Sequence, residues 1–421
     1  MLASRIVQMS AGLFMGALIN RSLGPAGRGI YAEVLTWVSL FVMVFGLSID
    51  TAIYHLANRS AYGEDDASRF ATILWLNLGY SLLAVAGLSV LVHYWSHLVS
   101  ATTAQHVFLL AVLILVSMLA SNLLVFYQAM GNIKAAAVIG MAQLLVQAAL
   151  IIAAYLGGFL TLPFIFWSMV IMQLAGVILL LGLAWQSRLM SGRFSLEMAK
   201  IILSAGLKQH VATICTFAYT KVNQLILFRY CGEVATGIFS VSLAIALALM
   251  FIPQTFQTVL YPRVIHGDDD YEVTVRALRV GFYTWGLMVL GIMLLARPIL
   301  LVYGGASFLS SVNLLRILMI GAWFLPLSSL VAPYYVKKGA FGLGSTSAVI
   351  LAVFSIGLNF ILVPRYAAVG AALATSVTCL VGFGLVLGLL YLISKKNPLV
   401  IFIPALAREL KQLRIKNLFS S

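Results

Sequence analysis

The sequence predicts an all-α integral membrane protein with twelve transmembrane helices, arranged as two pseudo-symmetric six-helix bundles around a central cleft. Three observations predict it. The 421-residue chain is 62% hydrophobic and only 9% charged, whereas a soluble domain has about 25% charged residues. Its apolar residues form long continuous runs, unlike the alternating pattern of a membrane β-barrel. The two halves of the chain also repeat each other at a constant offset.

The apolar runs define the helices in order, because each is long enough for the roughly 20 residues that cross a bilayer. The first run is followed by Arg21 and a Gly/Pro turn without a cleavage signal, so we expect a retained helix and not a signal peptide. The connections are too short to hold a soluble domain. The predicted spans are 4–20, 30–56, 70–93, 105–127, 134–155, 161–185, 200–228, 235–260, 278–303, 312–335, 341–363 and 368–393.

A basic segment, 395–421, follows the last span. Leu406, Leu410 and Leu413 recur in it at helical spacing. A basic amphipathic helix of this kind is typical of a segment that lies on the bilayer surface. We therefore expect the tail to be cytoplasmic and to contact the membrane.

The distribution of positive charge predicts the orientation. The chain has 26 Lys and Arg against 12 Asp and Glu, a net charge of +14. A cytoplasmic N-terminus places eighteen of the 26 basic residues on the cytoplasmic side and six on the other, as the positive-inside rule requires. Both termini are then cytoplasmic. This bias explains most of the net charge, so we expect no nucleic-acid partner.

The internal repeat has an offset of 208 residues. Because six helices return the chain to its starting side, the two halves enter the membrane from the same side and form a parallel repeat. We expect residues 1–190 and 191–394 to form the two bundles, an architecture typical of alternating-access transporters. A duplicated scaffold is the alternative. The corresponding pairs are Arg21/Arg229, Gly24/Gly232, Gly29/Gly237, Ile30/Ile238, Tyr127/Tyr335 and Gly131/Gly339.

Motifs of common enzymes and cofactor sites do not occur in the sequence. It contains no G-x-x-x-x-G-K-[ST] phosphate loop and no H-E-x-x-H zinc motif. Cys215, Cys231 and Cys379 lie far apart, so neither a disulfide framework nor a zinc site is indicated. We expect no cofactor, no metal site and no catalytic site.

Polar residues inside the spans are the candidates for function, because each charge at membrane depth costs about 2.5–3.5 kcal/mol. His210 and Lys221 are eleven residues apart, three helical turns, and share one face. Pro253 should kink the eighth span. Interfacial anchoring of Arg5 and an interior hydrogen-bonded role for His210 remain alternatives. The predicted substrate-binding residues are Arg5, Gln8, His210, Lys221, Gln224, Gln254 and Gln257.

Two acids in the second span, Glu33 and Asp50, are candidates for ion coupling or for countering the charge of a cavity cation. At the repeat offset they correspond to the uncharged residues Val241 and Thr258. Arg5 and Lys221 also correspond to uncharged residues. Because the scaffold repeats and these charges do not, they are candidates for function. A cationic, partly polar cleft would suit an anionic headgroup on an apolar lipid, since Arg and Lys match phosphate well.

Three segments carry a resemblance to a known family. The chain resembles the multidrug/oligosaccharidyl-lipid/polysaccharide exporter superfamily, and within it the polysaccharide transporters, the Wzx-type O-antigen flippases. The similarity extends over nearly the whole chain. The segments are Arg21-Ser-Leu-Gly-Pro-Ala-Gly-Arg-Gly-Ile-Tyr-Ala32, Gly237-Ile-Phe-Ser240 with Pro253 and Tyr261-Pro-Arg263, and Pro364-Arg-Tyr-Ala-Ala-Val-Gly-Ala-Ala-Leu-Ala-Thr375.

The resemblance implies a MATE-like fold and a flippase. Its substrate would be an undecaprenyl-pyrophosphate-linked oligosaccharide, an O-antigen or exopolysaccharide repeat unit used in lipopolysaccharide or exopolysaccharide biosynthesis. It would move from the cytoplasmic to the periplasmic leaflet of the bacterial inner membrane. The resemblance also implies a cationic cleft, coupling to a proton or sodium gradient, and a polysaccharide polymerase and a chain-length regulator as partners.

Two other functions remain open. A cation-coupled multidrug exporter of the same fold would need an acidic cleft, resting on Glu33 and Asp50, and the charge balance of the spans disfavours it. A non-transporting scaffold or a polymerase-type glycosyltransferase is disfavoured because polymerases of this pathway usually carry a large periplasmic loop, and no predicted outer loop is long.

Overall fold

The structure is a computed structural model, and it describes residues 2–57, 66–249, 264 and 270–402. These residues form α-helices joined by turns and short 3-10 helices. The α-helices are α1 Leu2–Gly46, α2 Ile49–Ala57, α3 Asp66–Tyr94, α4 Ala101–Gln105, α5 Val107–Ala129, α6 Ile133–Leu156, α7 Leu162–Gln186, α8 Leu196–Ala248, α9 Asp270–Leu294, α10 Ala296–Tyr303, α11 Val312–Leu330, α12 Ala332–Lys337 and α13 Phe341–Ser394.

Nine helical stretches of the described chain are long and apolar enough to cross a membrane. Three of them, in α1, α8 and α13, are 40, 53 and 53 residues long. At 1.5 Å per residue even 40 residues extend about 60 Å, twice the thickness of the hydrocarbon core. Each contains one non-helical residue, Gly24, Gly232 or Ala367. Division at these residues turns the nine stretches into twelve segments, the predicted number.

The three breaks coincide with predicted connections between spans, at 20–30, 228–235 and 363–368. Other boundaries differ. The predicted second span, 30–56, is interrupted at Leu47 and Ser48, between α1 and α2. The predicted ninth span is divided between α9 and α10, and the tenth between α11 and α12. Continuous apolar sequence does not reveal such breaks, because the residues at them are themselves compatible with a helix.

The outer surface of the helices is apolar. Leu82, Val138, Leu156 and Val353 are between 59% and 79% exposed. Large apolar side chains in such numbers would be unfavourable in water, whereas lipid tails solvate them at no cost. The helical architecture and its surface therefore suit a multi-pass membrane protein.

The chain forms two compact units. Unit 1 comprises Met1–Phe217 and Cys231–Gly237, and unit 2 comprises Ala218–Tyr230 and Ile238–Ser421. In unit 1, α5 packs against α3 and α7, with Ile114 and Phe166 in the core. In unit 2, α11 packs against α13 and α9. The bundle boundaries expected from the sequence, 1–190 and 191–394, stay a prediction.

The sequence repeat is also a repeat of local structure. Gly24 has φ 63° and ψ −175°, and Gly232, 208 residues later, has φ 77° and ψ −171°. Glycine adopts positive φ at little cost because it has no Cβ. The same backbone break therefore recurs at corresponding positions of the two sequence halves.

A second pair of corresponding turns shares a hydrogen-bond pattern. The amide of Asn132 donates to the carbonyl of Tyr127 over 2.9 Å, and that of Ala340 donates to Tyr335 over 2.9 Å. The glycine before each donor, Gly131 or Gly339, has positive φ. This is the Schellman arrangement, which ends a helix and satisfies its last carbonyls.

The glycines Gly29 and Gly237 allow α1 and α8 to cross in close contact within unit 1. A methyl group added to Gly29 would overlap the carbonyl of Glu233, and one added to Gly237 would overlap the carbonyl of Pro25. Pro25 and Glu233 each lie four residues before one of these glycines, at corresponding positions of the repeat. Glycine at a helix crossing permits this close approach of two backbones in membrane helices.

Candidate functional site

A cavity of about 420 Å³ lies within unit 1, between α1, α2, α5 and α8. α1 supplies most of its apolar wall, while the other helices supply hydroxyl, amide and carboxylate groups. The cavity is lined by Val38, Ser39, Val42, Met43, Gly46, Ser48, Asp50, Ser117, Met118, Ser121, Asn122, Val125 and Thr213. It is thus an apolar pocket with several convergent polar groups, the usual composition of a small-molecule site.

The break between α1 and α2 forms one edge of this cavity. Leu47 and Ser48 have φ angles of 48° and 51°. For a residue other than glycine, this left-handed backbone conformation costs roughly 1–2 kcal/mol. Gly206 of α8 lies so close that a Cβ there would overlap the carbonyl of Leu47. Two consecutive strained residues beside a cavity must be held by their surroundings.

His210 of α8 holds this break by hydrogen bonds. Its Nε2 lies 3.0 Å from the carbonyl oxygen of Val44, and its Nδ1 lies 3.4 Å from Oγ of Ser48. Because α1 ends at Gly46, the Val44 carbonyl is among the last four, which have no partner within the helix. The imidazole supplies the missing donor. Only 7% of His210 is exposed.

The hydrogen-bond chain continues from His210 to the cavity wall. Ser48 Oγ donates to Thr213 Oγ1 over 3.1 Å, and Thr213 Oγ1 donates to the carbonyl of Gln209 over 3.2 Å. The Val44 carbonyl can only accept, so Nε2 of His210 carries a proton. Both nitrogens of His210 thus face groups of the protein, the single hydroxyl proton of Ser48 goes to Thr213, and Ser48 and Thr213 line the cavity.

Asn122 and Ser117 are supported by a second polar network behind the cavity. Nδ2 of Asn122 donates to Oδ1 of Asn77 over 3.2 Å, and Nδ2 of Asn77 donates to the carbonyl of Met118 over 2.9 Å. Ser117 Oγ accepts from Nε2 of Gln173 over 3.4 Å. Sequence reasoning missed Ser48, Ser117 and Asn122. The rule that polar groups inside apolar runs need a reason would have found them if it had been applied to uncharged residues.

Asp50 is the predicted coupling residue that lines the cavity. It lies in the first turn of α2 with its side chain exposed, and within the described chain it makes no hydrogen bond and no ion pair. Tyr54, one turn further on, donates its hydroxyl to Oε1 of Gln128 over 2.8 Å. The carboxylate of Asp50 is therefore available to a cation, a proton or a polar substrate.

Glu33, the other predicted coupling residue, is fully buried. It accepts hydrogen bonds from the amide and hydroxyl of Ser100 over 3.2 and 2.8 Å and from the hydroxyl of Thr103 over 2.8 Å. Ser100 is the N-cap of α4. The carboxylate thus fixes the start of α4 to α1. Its proposed part in ion coupling stays a prediction.

The remaining predicted binding residues lie apart from this cavity or beyond the described chain. Gln8 is exposed on α1 near Gly140, and α1 also contains Arg5, whose side chain lies outside the described part. Lys221 is half-buried and Gln224 is buried in unit 2. Gln254, Gln257 and Pro253 lie outside the described residues. The cavity lining contains one carboxylate and neither Lys nor Arg, so the predicted cationic character does not belong to this cavity.

Within the described ranges, the His, Cys, Asp and Glu side chains form no cluster of three or more that could hold a metal ion. None of the three cysteines forms a disulfide. The polar groups that line the cavity can donate and accept hydrogen bonds, as contacts with a bound ligand require.

Solved structures of transporters share this fold. The lipid II flippase MurJ in an inward closed conformation matches with a TM-score of 0.76 and 16% identity, covering 100% of this chain and 93% of that one. An inward-facing multidrug resistance MATE family transporter of the MOP superfamily matches with a TM-score of 0.69 and 14% identity over 93% of this chain and 96% of that one.

A MOP superfamily transporter from Pyrococcus furiosus has a TM-score of 0.64 and 14% identity, covering 94% of this chain and 95% of that one. No curated protein sequence matches this chain. At these identities the matches show the fold alone, and they confirm the predicted all-α, MATE-like membrane architecture.

The family follows from the sequence itself. Residues 1–267, more than half of the chain, match the model of the polysaccharide biosynthesis protein family. The match confirms the polysaccharide family in the resemblance drawn from the sequence motifs, and the solved structures agree with the fold that the resemblance implies. The chain therefore belongs to the polysaccharide biosynthesis protein family and has the fold of the MOP exporter superfamily.

Proposed function

We propose that this protein is a flippase that moves an undecaprenyl-pyrophosphate-linked oligosaccharide from the cytoplasmic to the periplasmic leaflet by alternating access. The observation that carries the proposal is the cavity of unit 1, an apolar pocket with several convergent polar groups, in a chain that belongs to a polysaccharide biosynthesis family. Polar groups at membrane depth are expensive unless they face a cavity that uses them.

The composition of the cavity suits a sugar. Its lining includes hydroxyl and amide groups, which can donate and accept hydrogen bonds, on Ser39, Ser117, Ser121, Asn122 and Thr213. Sugars are bound by such groups because each sugar hydroxyl both donates and accepts. A volume of about 420 Å³ lies in the ordinary range of ligand pockets. The glycan would occupy this space while the lipid tail stays in the bilayer.

The pyrophosphate requires positive charge, which we assign to Arg5 and Lys221. Arg and Lys form charge-assisted hydrogen bonds with phosphate, and these are roughly twice as strong as neutral ones. Lys221 lies half-buried on α8, and a basic residue inside an apolar span is by default a candidate for function. Gln8, Gln224, Gln254 and Gln257 are proposed to contact the polar headgroup. The coupling ion is proposed to be a proton or sodium, with Asp50 as the residue available to it.

The first experiment is lipid analysis of a strain that lacks the gene. Undecaprenyl-pyrophosphate-linked oligosaccharide is measured by mass spectrometry together with surface polysaccharide. We expect the lipid-linked repeat unit to accumulate and the surface glycan to be lost, and the mass would identify the substrate. Unchanged lipids and glycan, in a strain without a redundant transporter, would overturn the proposal.

Two variants of α8 test whether the positive charge of Lys221 is needed for transport. Lys221→Ala should abolish complementation of the deletion strain at a normal level of folded protein. Lys208→Ala is the matched control, because Lys208 is exposed on the same helix and is proposed to extend to the membrane interface. Normal surface glycan in the Lys221→Ala strain would remove Lys221 from the site.

A second candidate function is a cation-coupled multidrug exporter, which the exposed carboxylate of Asp50 in the cavity favours. Organic cations are attracted to a carboxylate in an apolar pocket. A deletion strain with normal surface glycan and increased sensitivity to cationic drugs would favour this function. Unchanged drug tolerance together with accumulated lipid-linked glycan would exclude it.

A further inference from the structure

A second cavity, of about 390 Å³, lies in unit 2 between α9 and the chain that follows α13. It contains none of the residues proposed for transport. Its lining is mostly polar and aromatic, and consists of Tyr271, Glu272, Val275, Arg276, Arg279, Lys396, Asn397 and Val400.

The cavity is closed on one side by a short 3-10 helix, Pro398–Phe402, which folds back onto α9. The hydroxyl of Tyr283 donates to the carbonyl of Phe402 over 2.8 Å, and Nε of Arg279 donates to the carbonyl of Val400 over 3.2 Å. Ile401 is fully buried in the core of unit 2. These contacts hold the 3-10 helix in place on α9, and with it one side of the cavity.

Positive charge predominates in this cavity. Arg276, Arg279 and Lys396 come from two different elements, against one carboxylate, Glu272. Within the described residues Glu272 forms no ion pair with Arg276 or Lys396. Nζ of Lys396 lies 5.2 Å from the centroid of the Tyr271 ring, a cation–π distance.

Arg279 combines burial with a fixed orientation, since only 8% of it is exposed and its Nε is held by a backbone carbonyl. The acidic run Asp268–Asp270 precedes Tyr271 in the sequence, and its side chains lie outside the described part.

We infer that this cavity binds the phosphate of an anionic phospholipid headgroup. Guanidinium groups match phosphate oxygens in charge and in geometry, and Lys adds a point charge. The amide of Asn397 can donate to further oxygens. In the orientation expected from the positive-inside pattern, the ends of α9 and α13 that form the cavity lie at the cytoplasmic leaflet. Anionic lipids in that leaflet attract basic groups.

A soluble phosphate compound offers the same chemistry, so the experiment must separate the two sources. The full-length protein is reconstituted in nanodiscs of phosphatidylcholine with or without phosphatidylglycerol, and bound lipids are counted by native mass spectrometry. Inorganic phosphate is titrated as the soluble probe. The variant Arg276→Gln/Lys396→Gln removes two cavity charges and spares Arg279, which also supports the backbone of Val400.

The matched control is Lys134→Gln/Lys200→Gln. Both lysines are exposed and belong to the side expected to be cytoplasmic, outside the cavity, so the control loses the same charge. We expect selective retention of phosphatidylglycerol by the natural protein and by the control. Each lost charge-assisted contact should weaken retention about tenfold in the cavity variant.

Equal retention by the cavity variant and the control would overturn the inference. Displacement of the lipid by low concentrations of inorganic phosphate would assign the cavity to a soluble phosphate compound. It would contradict the inference that the ligand is a phospholipid. If the double variant does not fold, Lys396→Gln alone is compared with Lys396→Arg, and only the former should lose the lipid. The transport proposal is unaffected by any of these outcomes, because the readout is lipid binding.

Discussion

The Nε2 of His210 lies 3.0 Å from the carbonyl oxygen of Val44, although 166 residues separate the two in the sequence. The bond joins α8 to the end of α1, where Leu47 and Ser48 have left-handed φ angles. A buried side chain thus satisfies a carbonyl left without a helical partner beside the cavity of unit 1. The position of α2, and with it Asp50, depends on this contact.

Variants of His210 should show whether the ring holds the break between α1 and α2 or takes a direct part in transport. His210→Leu leaves the Val44 carbonyl without its donor and should lower the stability of the folded protein by about 1–3 kcal/mol. His210→Gln retains one donor and one acceptor and should keep most of the stability and the complementation. The measurements are thermal unfolding in detergent and surface glycan in the deletion strain. A stable His210→Gln protein without transport would instead assign the ring a direct role in transport.

The crossing of α1 and α8 should tolerate no side chain at either glycine. Gly29→Ala and Gly237→Ala place a methyl group against a backbone carbonyl, and overpacking of this kind typically costs about 1–3 kcal/mol. Both should lower the unfolding temperature by similar amounts. Gly12→Ala is the control on α1, since nothing lies within 4 Å of its Cβ position. Equal stability of all three variants would disprove the close crossing.

Asp50→Asn should change transport without changing stability. The carboxylate makes no hydrogen bond or ion pair with any described residue, so the isosteric amide should alter the free energy of unfolding by less than about 0.5 kcal/mol. We expect reduced complementation, because an amide neither binds a proton nor counters a cation. Asp66→Asn is the control, as Asp66 pairs with Arg69 at the surface over 3.3 Å. Full complementation by Asp50→Asn would remove Asp50 from ion coupling.

Glu33→Ala should destabilise the protein. Three donors from Ser100 and Thr103 would lose their acceptor in a buried site, and each unsatisfied group costs about 1–3 kcal/mol. Glu33→Gln keeps one acceptor oxygen and should be less harmful. Glu197→Ala, an exposed position in the first turn of α8, serves as the control. If Glu33→Ala folded normally and lost only transport, ion coupling would be the better assignment for Glu33.

Sequence by itself determined the membrane architecture. Apolar runs are local properties, and the cost of placing polar groups in lipid makes them sufficient to locate spans. Even the breaks at Gly24 and Gly232 follow from local sequence, because positive φ favours glycine wherever it occurs. The offset of 208 residues therefore predicted a repeat of conformation that the structure shows at these glycines and at Gly131 and Gly339.

Tertiary structure alone decided which polar residues meet. The left-handed break at Leu47 and Ser48 has no signal in an apolar run, because it exists only where α8 packs closely and His210 supplies a hydrogen bond. Glu33 and Asp50 were both candidates for ion coupling from the sequence, yet the first is enclosed by donors from the chain before and within α4 and the second faces a cavity. Partners 67 or 166 residues apart are brought together by helix packing, and no local pattern encodes that choice.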